Sequence, residues 1–179
     1  SVQIHHIDLL RYYMGNVKRV TAVCKSITDT MANDAEDLVT AILEFESGAV
    51  GSVFAFPGDT PKDIVDGKRT RSDREYVVYG SAGTIHSTPQ TDRNMAHFGE
   101  VLFAPLTGES AGEFTPVDTS DAGTPSLKPF VNQILHFEEC IRTGAEPVSS
   151  GRDNIDTMKI IFAIWESSKT GKAVELIDL

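Results

Sequence analysis

No two of the 14 glycines in this 179-residue chain stand two positions apart. That spacing excludes the G-x-G-x-x-G loop that lets a backbone approach a dinucleotide pyrophosphate. Neither a Walker phosphate loop nor a G-x-S-x-G nucleophile elbow occurs either, so the chain is expected to bind no nucleotide or nicotinamide of its own. Cysteine is scarce. Cys24 and Cys140 lie far apart and lay out neither a disulfide framework nor a metal knuckle, which makes a reducing cytoplasm the expected compartment. Long apolar runs are missing as well, against the roughly 18 residues that a spanning helix requires. Positive charge is short: 16 Lys and Arg face 26 Asp and Glu, for a formal charge of −10. A surface that acidic repels phosphate backbones and anionic lipid, so nucleic-acid and membrane partners are not expected.

What remains is globular. With 40% hydrophobic and 23% charged residues the composition argues against disorder. At this length folding buries roughly 70% of the unfolded chain's surface, and residues 1–179 are expected to make one domain. The chain opens on Ser1-Val2-Gln3-Ile4, with neither an initiator Met nor a charged-then-apolar leader, and reads as a piece of a longer protein.

Apolar residues at 7, 10 and 14, and again at 9 and 13, have helical spacing, and Gly15-Asn16 supplies the stop. Residues 17–28 alternate as a strand. Residues 37–46 and 50–56, joined through Ser47-Gly48-Ala49, read as a β-hairpin. Leu38 and Ile42 fall on one face of it, and Val39, Ala41, Leu43 and Phe45 on the other; Phe54 likewise opposes Val53 and Ala55. Both faces are thus apolar, and such a sheet must be covered twice. Residues 57–74 are polar and read as a loop, whose Lys68-Arg69-Thr70-Arg71-Ser72-Asp73-Arg74 is either solvated or placed beside an anionic ligand. Strands are expected at 75–79 and 84–87 around the turn Gly80-Ser81-Ala82-Gly83, with short edge strands in 95–106 and 113–118. Two helices follow. The first, 128–142, carries Phe130, Ile134, Phe137 and Ile141, widened by Val131 and Leu135; the second, 153–168, carries Ile155, Met158, Phe162 and Trp165 with Ile161 beside them. Residues 173–177 end the chain as a strand. Strands grouped apart from helices indicate an α+β fold, an open and mostly antiparallel β-sheet with helices packed on one face.

The densest set of titratable groups is His5-His6-Ile7-Asp8 at the start of the first helix. Imidazole titrates near neutrality and suits acid–base work. Residues i and i+3 share a helix face, so His5 and Asp8 are neighbours while His6 projects about 100° away. Asp8 also suits the positive end of the helix dipole, a purely structural role. No metal is expected, because adjacent histidines do not readily share one ion and no third ligand stands at a fitting spacing. His86, His97 and His136 are isolated, and Cys24 and Cys140 sit among apolar neighbours as small buried hydrophobes.

At His5-x-x-Asp8-Leu9-Leu10-Arg11-Tyr12-x-x-Gly15 the chain resembles the C-terminal substrate domain of the Gfo/Idh/MocA oxidoreductases, the family of glucose–fructose oxidoreductase and inositol dehydrogenase. There an H-x-x-D-L motif opens a helix ending in glycine. The resemblance continues through the hairpin Asp37 to Ala49, through Tyr79-Gly80-Ser81-Ala82-Gly83-Thr84-Ile85, and through Phe137 to Gly144, Pro147, Ser150-Gly151-Arg152-Asp153 and Gly171-Lys172-x-Val174-x-Leu176. It implies the C-terminal half of a two-domain enzyme whose N-terminal Rossmann domain, absent here, binds NAD or NADP. This half then contributes contacts to a sugar, polyol or related hydroxy or keto substrate and forms a homodimer through the open sheet face. His5 matches the family's acid–base or hydroxyl-contacting His, with His6 and Asp8 as further substrate contacts. The Asp often found four residues before that His corresponds to Ser1. The family's Glu-Lys-Pro motif, with its catalytic Lys, belongs to the other domain; Lys128-Pro129 lies in the wrong region to replace it. The fragment alone is expected to be inactive. Two other readings stay open: a stand-alone dimeric binding or scaffold module, and a metal-dependent lyase or isomerase built on His5 and His6.

Overall fold

The computed structural model describes residues 4–27, 36–55, 64–65, 68–69, 76–87, 100–118 and 128–178. They form α1 (Ile4–Met14), β1 (Val17–Lys25), β2 (Leu38–Phe45), β3 (Val50–Ala55), β4 (Ile64–Val65), β5 (Lys68–Arg69), β6 (Tyr76–Tyr79), β7 (Gly83–Ser87), β8 (Val101–Pro105), β9 (Thr115–Pro116), α2 (Lys128–Thr143), α3 (Gly151–Thr170) and β10 (Val174–Glu175), with a closing 3-10 turn at Leu176–Asp178. This is the α+β architecture expected, with every described ladder antiparallel and both larger sheets open. The strands divide into a four-stranded sheet β10-β1-β2-β3, a short hairpin β4-β5 inside the segment read as loop, and a second sheet β6-β7-β8-β9. Most of the Lys68–Arg74 cluster, and His97, lie outside the described residues.

The chain forms two compact units, one from Ser1–Gly58 with Glu146–Leu179, the other from Asp59–Ala145. In the first, the helix periodicity of residues 7–14 is realised with one more turn at the front. α1 ends at Gly15, whose φ of 87° suits glycine and whose N–H closes on Arg11 O at 2.9 Å. The core lies between the sheet and two helices: Ile7 of α1, Val20, Ala22, Leu43 and Val53 of the strands, and Ile160, Ala163 and Ile164 of α3.

The face of α3 differs from the expected one. Ile155, Phe162 and Trp165 are about half exposed; Ile160, Ala163, Ile164 and Ser167 face the sheet instead, and the buried Thr157 turns to α1. Close approach explains the choice. β10 pairs with only Arg19 and Val20, so the edge of β1 beyond it carries open amides. Ser167 Oγ accepts from Ala22 N at 2.9 Å and Ser168 Oγ from Cys24 N at 2.7 Å. Small hydroxyl residues reach that backbone and satisfy it; a Trp165 stripe would hold the helix too far away. On the opposite face of this sheet Val23, Ile42 and Phe54 are exposed, so one of the two apolar faces is covered and the other is open.

In the second unit the Gly80–Gly83 turn joins β6 to β7 as expected. Gly83 is required there, because a Cβ would collide with the Ala104 carbonyl and the Phe103 ring on β8. Helix α2 forms over the expected span, but Phe130, Ile134, Phe137 and Ile141 remain more than half exposed. Among the described residues no helix is long and apolar enough to cross a membrane.

Candidate functional site on α1

Helix α1 is held on three sides. Ile7 is fully buried, with Leu10 and Met14 packed on the same core. At its C-terminal end Ser47 Oγ donates to Met14 O at 3.0 Å and Glu46 N donates to Asn16 O at 2.9 Å, tying the helix to the β2–β3 turn. The third attachment is polar. Arg11, with its side chain 9% exposed, reaches α3, where Nη1 donates to Thr157 Oγ1 at 2.7 Å and to Asp153 O at 3.2 Å, and Nη2 donates to Asp153 Oδ1 at 3.1 Å. Asp156 Oδ2 stands 3.9 Å from Nη2 and Asp8 Oδ1 3.8 Å from Nη1, so three carboxylates surround one buried cation. Thr157 in turn donates to Asp8 Oδ1 at 2.8 Å.

The expected site residues take different stations on this helix. His5 is exposed, His6 is half-buried, and Asp8 keeps about half of its side chain open while one oxygen is engaged. Because α1 begins at Ile4, Asp8 falls beyond the first turn, where the dipole's influence has faded; Thr157 and Arg11 account for it instead. At about 100° per residue, His5, Asp8, Leu9, Tyr12 and Tyr13 share the outward arc, and His6 falls at its edge beside Tyr13. All five are exposed, and the two tyrosine rings meet edge-on with centroids 5.4 Å apart. An exposed imidazole beside a carboxylate can take a proton from, or return one to, a hydroxyl held between them.

Sequence reasoning assigned no role to Arg11 or Thr157. The i, i+3 spacing of Asp8 and Arg11 was a usable signal for their pairing. Nothing local pointed to Thr157, which lies 149 positions from the Asp8 it bonds.

Elsewhere, Cys24 and Cys140 are buried and free. Burial pushes the Cys24 thiol pKa up, partly offset by its hydrogen bond with Ser168 and reinforced by Glu36. Cys140 Sγ lies 3.6 Å from His136 Nε2 on the same helix. Among the described residues no group of three or more His, Cys, Asp or Glu gathers to hold a metal. Two shallow concavities, of about 210 Å³ along α3 at Asn154, Met158 and Phe162 and about 340 Å³ at Thr84, Leu106 and Phe114, do not include His5, His6 or Asp8.

Residues 2–176 match the family model described as the oxidoreductase family, C-terminal alpha/beta domain. The chain belongs to the Gfo/Idh/MocA oxidoreductase family. Within it, the chain is similar to the D-apiose dehydrogenase of Paraburkholderia graminis, 27% identical with 98% of this chain and 44% of that protein covered. It is also similar to D-xylose 1-dehydrogenase (NADP(+)) 2 of Haloferax volcanii, at 25% identity over 98% of this chain and 47% of that protein. The chain thus spans about half the length of the curated relatives it matches. Among solved structures the fold matches levoglucosan dehydrogenase in complex with NADH, with a TM-score of 0.77 at 22% identity over 98% of this chain and 49% of the other. An oxidoreductase from Agrobacterium radiobacter in complex with NAD+, L-tartaric acid and magnesium matches with a TM-score of 0.75, again at 22% identity, covering 98% and 48%. The H-x-x-D-L helix, the hairpin and the closing helix that carried the resemblance all lie inside the matched span.

Proposed function

We propose that this chain is the substrate-binding and dimerisation half of an NAD(P)-dependent dehydrogenase acting on an aldose or related polyol. The observation that carries the proposal is the match of residues 2–176 to the C-terminal domain of an oxidoreductase family whose similar curated members are twice as long and named as sugar dehydrogenases. The residues present do not fit a nicotinamide dinucleotide. The described ladders are antiparallel, whereas the dinucleotide fold needs parallel strands and a glycine loop that this sequence lacks. On this reading the cofactor belongs to a preceding half of a longer, cytoplasmic protein, and no redox step is assigned to these residues. Bound there, a nicotinamide supplies the hydride chemistry.

What α1 contributes is binding and proton handling. His5 exchanges a proton with a substrate hydroxyl, Asp8 accepts a hydrogen bond from a neighbouring hydroxyl through its outward oxygen, and His6 borders the site. The open face of β10-β1-β2-β3, with Val23, Ile42 and Phe54 exposed, serves as the homodimer surface.

A panel of D-apiose, D-xylose and levoglucosan, each with NAD+ and NADP+, tests the reading in the full-length protein. Reduced nicotinamide is expected to appear with at least one of these sugars, and His5→Ala is expected to lower kcat by about 10²–10⁴-fold. The 179-residue chain by itself is expected to bind neither NADH nor NADPH and to turn over nothing. Micromolar nicotinamide binding by it, or no turnover of any sugar in the panel by the full-length protein, overturns the proposal.

A further inference from the structure

The hydrogen bonds that link Arg11 through Thr157 to Asp8 run one way, from the cation to the carboxylate. A guanidinium can only donate and a carboxylate can only accept. Arg11 Nη1 donates to Thr157 Oγ1 at 2.7 Å, so it occupies an acceptor site of that hydroxyl. The single hydroxyl hydrogen is then directed to Asp8 Oδ1, 2.8 Å away. Thr157 is fully buried, so water cannot replace either partner. Asp153 and Asp156 balance the cation from α3, and the Asp153 side chain and carbonyl fix its second edge.

We propose that Arg11 and Thr157 are positioning residues: their one-way relay clamps the Asp8 carboxylate and the front of α1 against α3, so that the outward Asp8 oxygen and the His5 imidazole are presented together to two hydroxyls of a sugar. The inference rests on the reading of α1 as the substrate site and adds to it the residues that aim that site. The relay acts at a lever point. Ile7, Leu10 and Met14 hold the helix by apolar contacts that tolerate small rotations, whereas a directed hydrogen bond between Asp8 and a buried hydroxyl does not. A rotation of α1 about its axis would turn the arc that His5 and Asp8 share away from the direction in which it faces a substrate. Small misplacements of this kind cost rate without unfolding the protein.

Two measurements decide it. In the 179-residue chain, the Thr157 hydroxyl proton is expected to be visible by NMR in slow exchange with water, with a cross-peak to the Asp8 side chain; a rapidly exchanging hydroxyl, or one with no Asp8 cross-peak, overturns the relay. In the full-length protein, with the sugar found by the panel above, Thr157→Val removes the hydroxyl at nearly constant volume. It is expected to lower kcat/KM about 10- to 100-fold with KM raised, and Thr157→Ser is expected to recover most of that loss. A purely structural threonine would change the melting temperature and leave the kinetic constants of the folded enzyme alone. Unchanged kcat/KM in Thr157→Val, beside a large loss in His5→Ala, overturns the positioning role and leaves the site reading standing. Unchanged kcat/KM in His5→Ala as well, or no turnover of any sugar in the panel, overturns the site reading and the positioning role with it.

Discussion

The two faces of the β10-β1-β2-β3 sheet are made from the same strands and have opposite fates. On one, Val20, Ala22, Cys24, Ala41, Leu43 and Val53 are at most 8% exposed beneath α1 and α3. On the other, Val23, Ile42 and Phe54 stand about half exposed or more, separated by the exposed Thr21, Thr40 and Ser52. Register places Thr21 beside Ile42, Val23 beside Thr40 and Thr40 beside Phe54, so hydroxyl and apolar side chains form a chequered surface. The covered face is aliphatic and partly small, because a helix lies close over it. The open face mixes hydroxyl side chains with a few large apolar groups, a composition that tolerates water and that the proposed dimer would cover. Apolar alternation alone did not distinguish the two. The difference was made by which face the helices reached.

Breaking each face separately sharpens that contrast. Leu43→Ala on the covered face is expected to cost about 2–5 kcal/mol by urea unfolding, since it empties a site enclosed by both helices and strands. Phe54→Ser on the open face is expected to leave the unfolding free energy of the monomer nearly unchanged and to weaken self-association, read by light scattering across the micromolar range. Equal stability losses from the two would erase the distinction between the faces. A monomer at every concentration in the unsubstituted protein would remove the dimer role of the open one.

At the rim of the covered face the expected effects are smaller. Ser167→Ala leaves the Ala22 amide without its acceptor in a buried place and is expected to cost about 1–3 kcal/mol. A Ser167→Ala protein as stable as the original would mean that α3 does not depend on this hydroxyl for its seat on β1.

Cys24 gives the smallest effect, read through pH. Burial raises its thiol pKa in the folded state, so between the unfolded value, about 8.5, and the folded one the native protein binds more protons than the unfolded chain. Stability is therefore expected to fall as pH rises above about 8.5, and Cys24→Ala should flatten that part of the profile. Identical slopes in the two proteins would show that the thiol is not titrating in a desolvated place.

Much of this was legible in the chain. The hydrophobic period of α1 with its Gly15 stop, the β2–β3 hairpin and the Gly80–Gly83 turn follow from local spacing and turn chemistry, and the structure realises all of them. The helix proposed to carry the site was legible as a helix for the same reason, and its two histidines and aspartate are a local signal in the sequence. α3 was read on the wrong face. Its large residues Ile155, Phe162 and Trp165 make the stronger stripe, yet Ala163, Ser167 and Ser168 lie against the sheet. Size misleads where backbones come close, because a helix touching a strand edge needs small side chains that bond to amides.

Taken by itself, the sequence determined the identities and order of the main elements, though not the short β4-β5 hairpin, together with the acidic charge balance, the absence of a glycine phosphate loop and the family to which the chain belongs. These depend on composition and on residues a few positions apart. Tertiary structure alone decided which face of α3 is buried, which side of the sheet stays open, and that Arg11 and Thr157 hold Asp8 across 149 positions of chain. Those outcomes depend on which distant backbones approach within hydrogen-bonding distance. No local period encodes that approach, because many pairings of distant segments are compatible with the same pattern of apolar and polar residues.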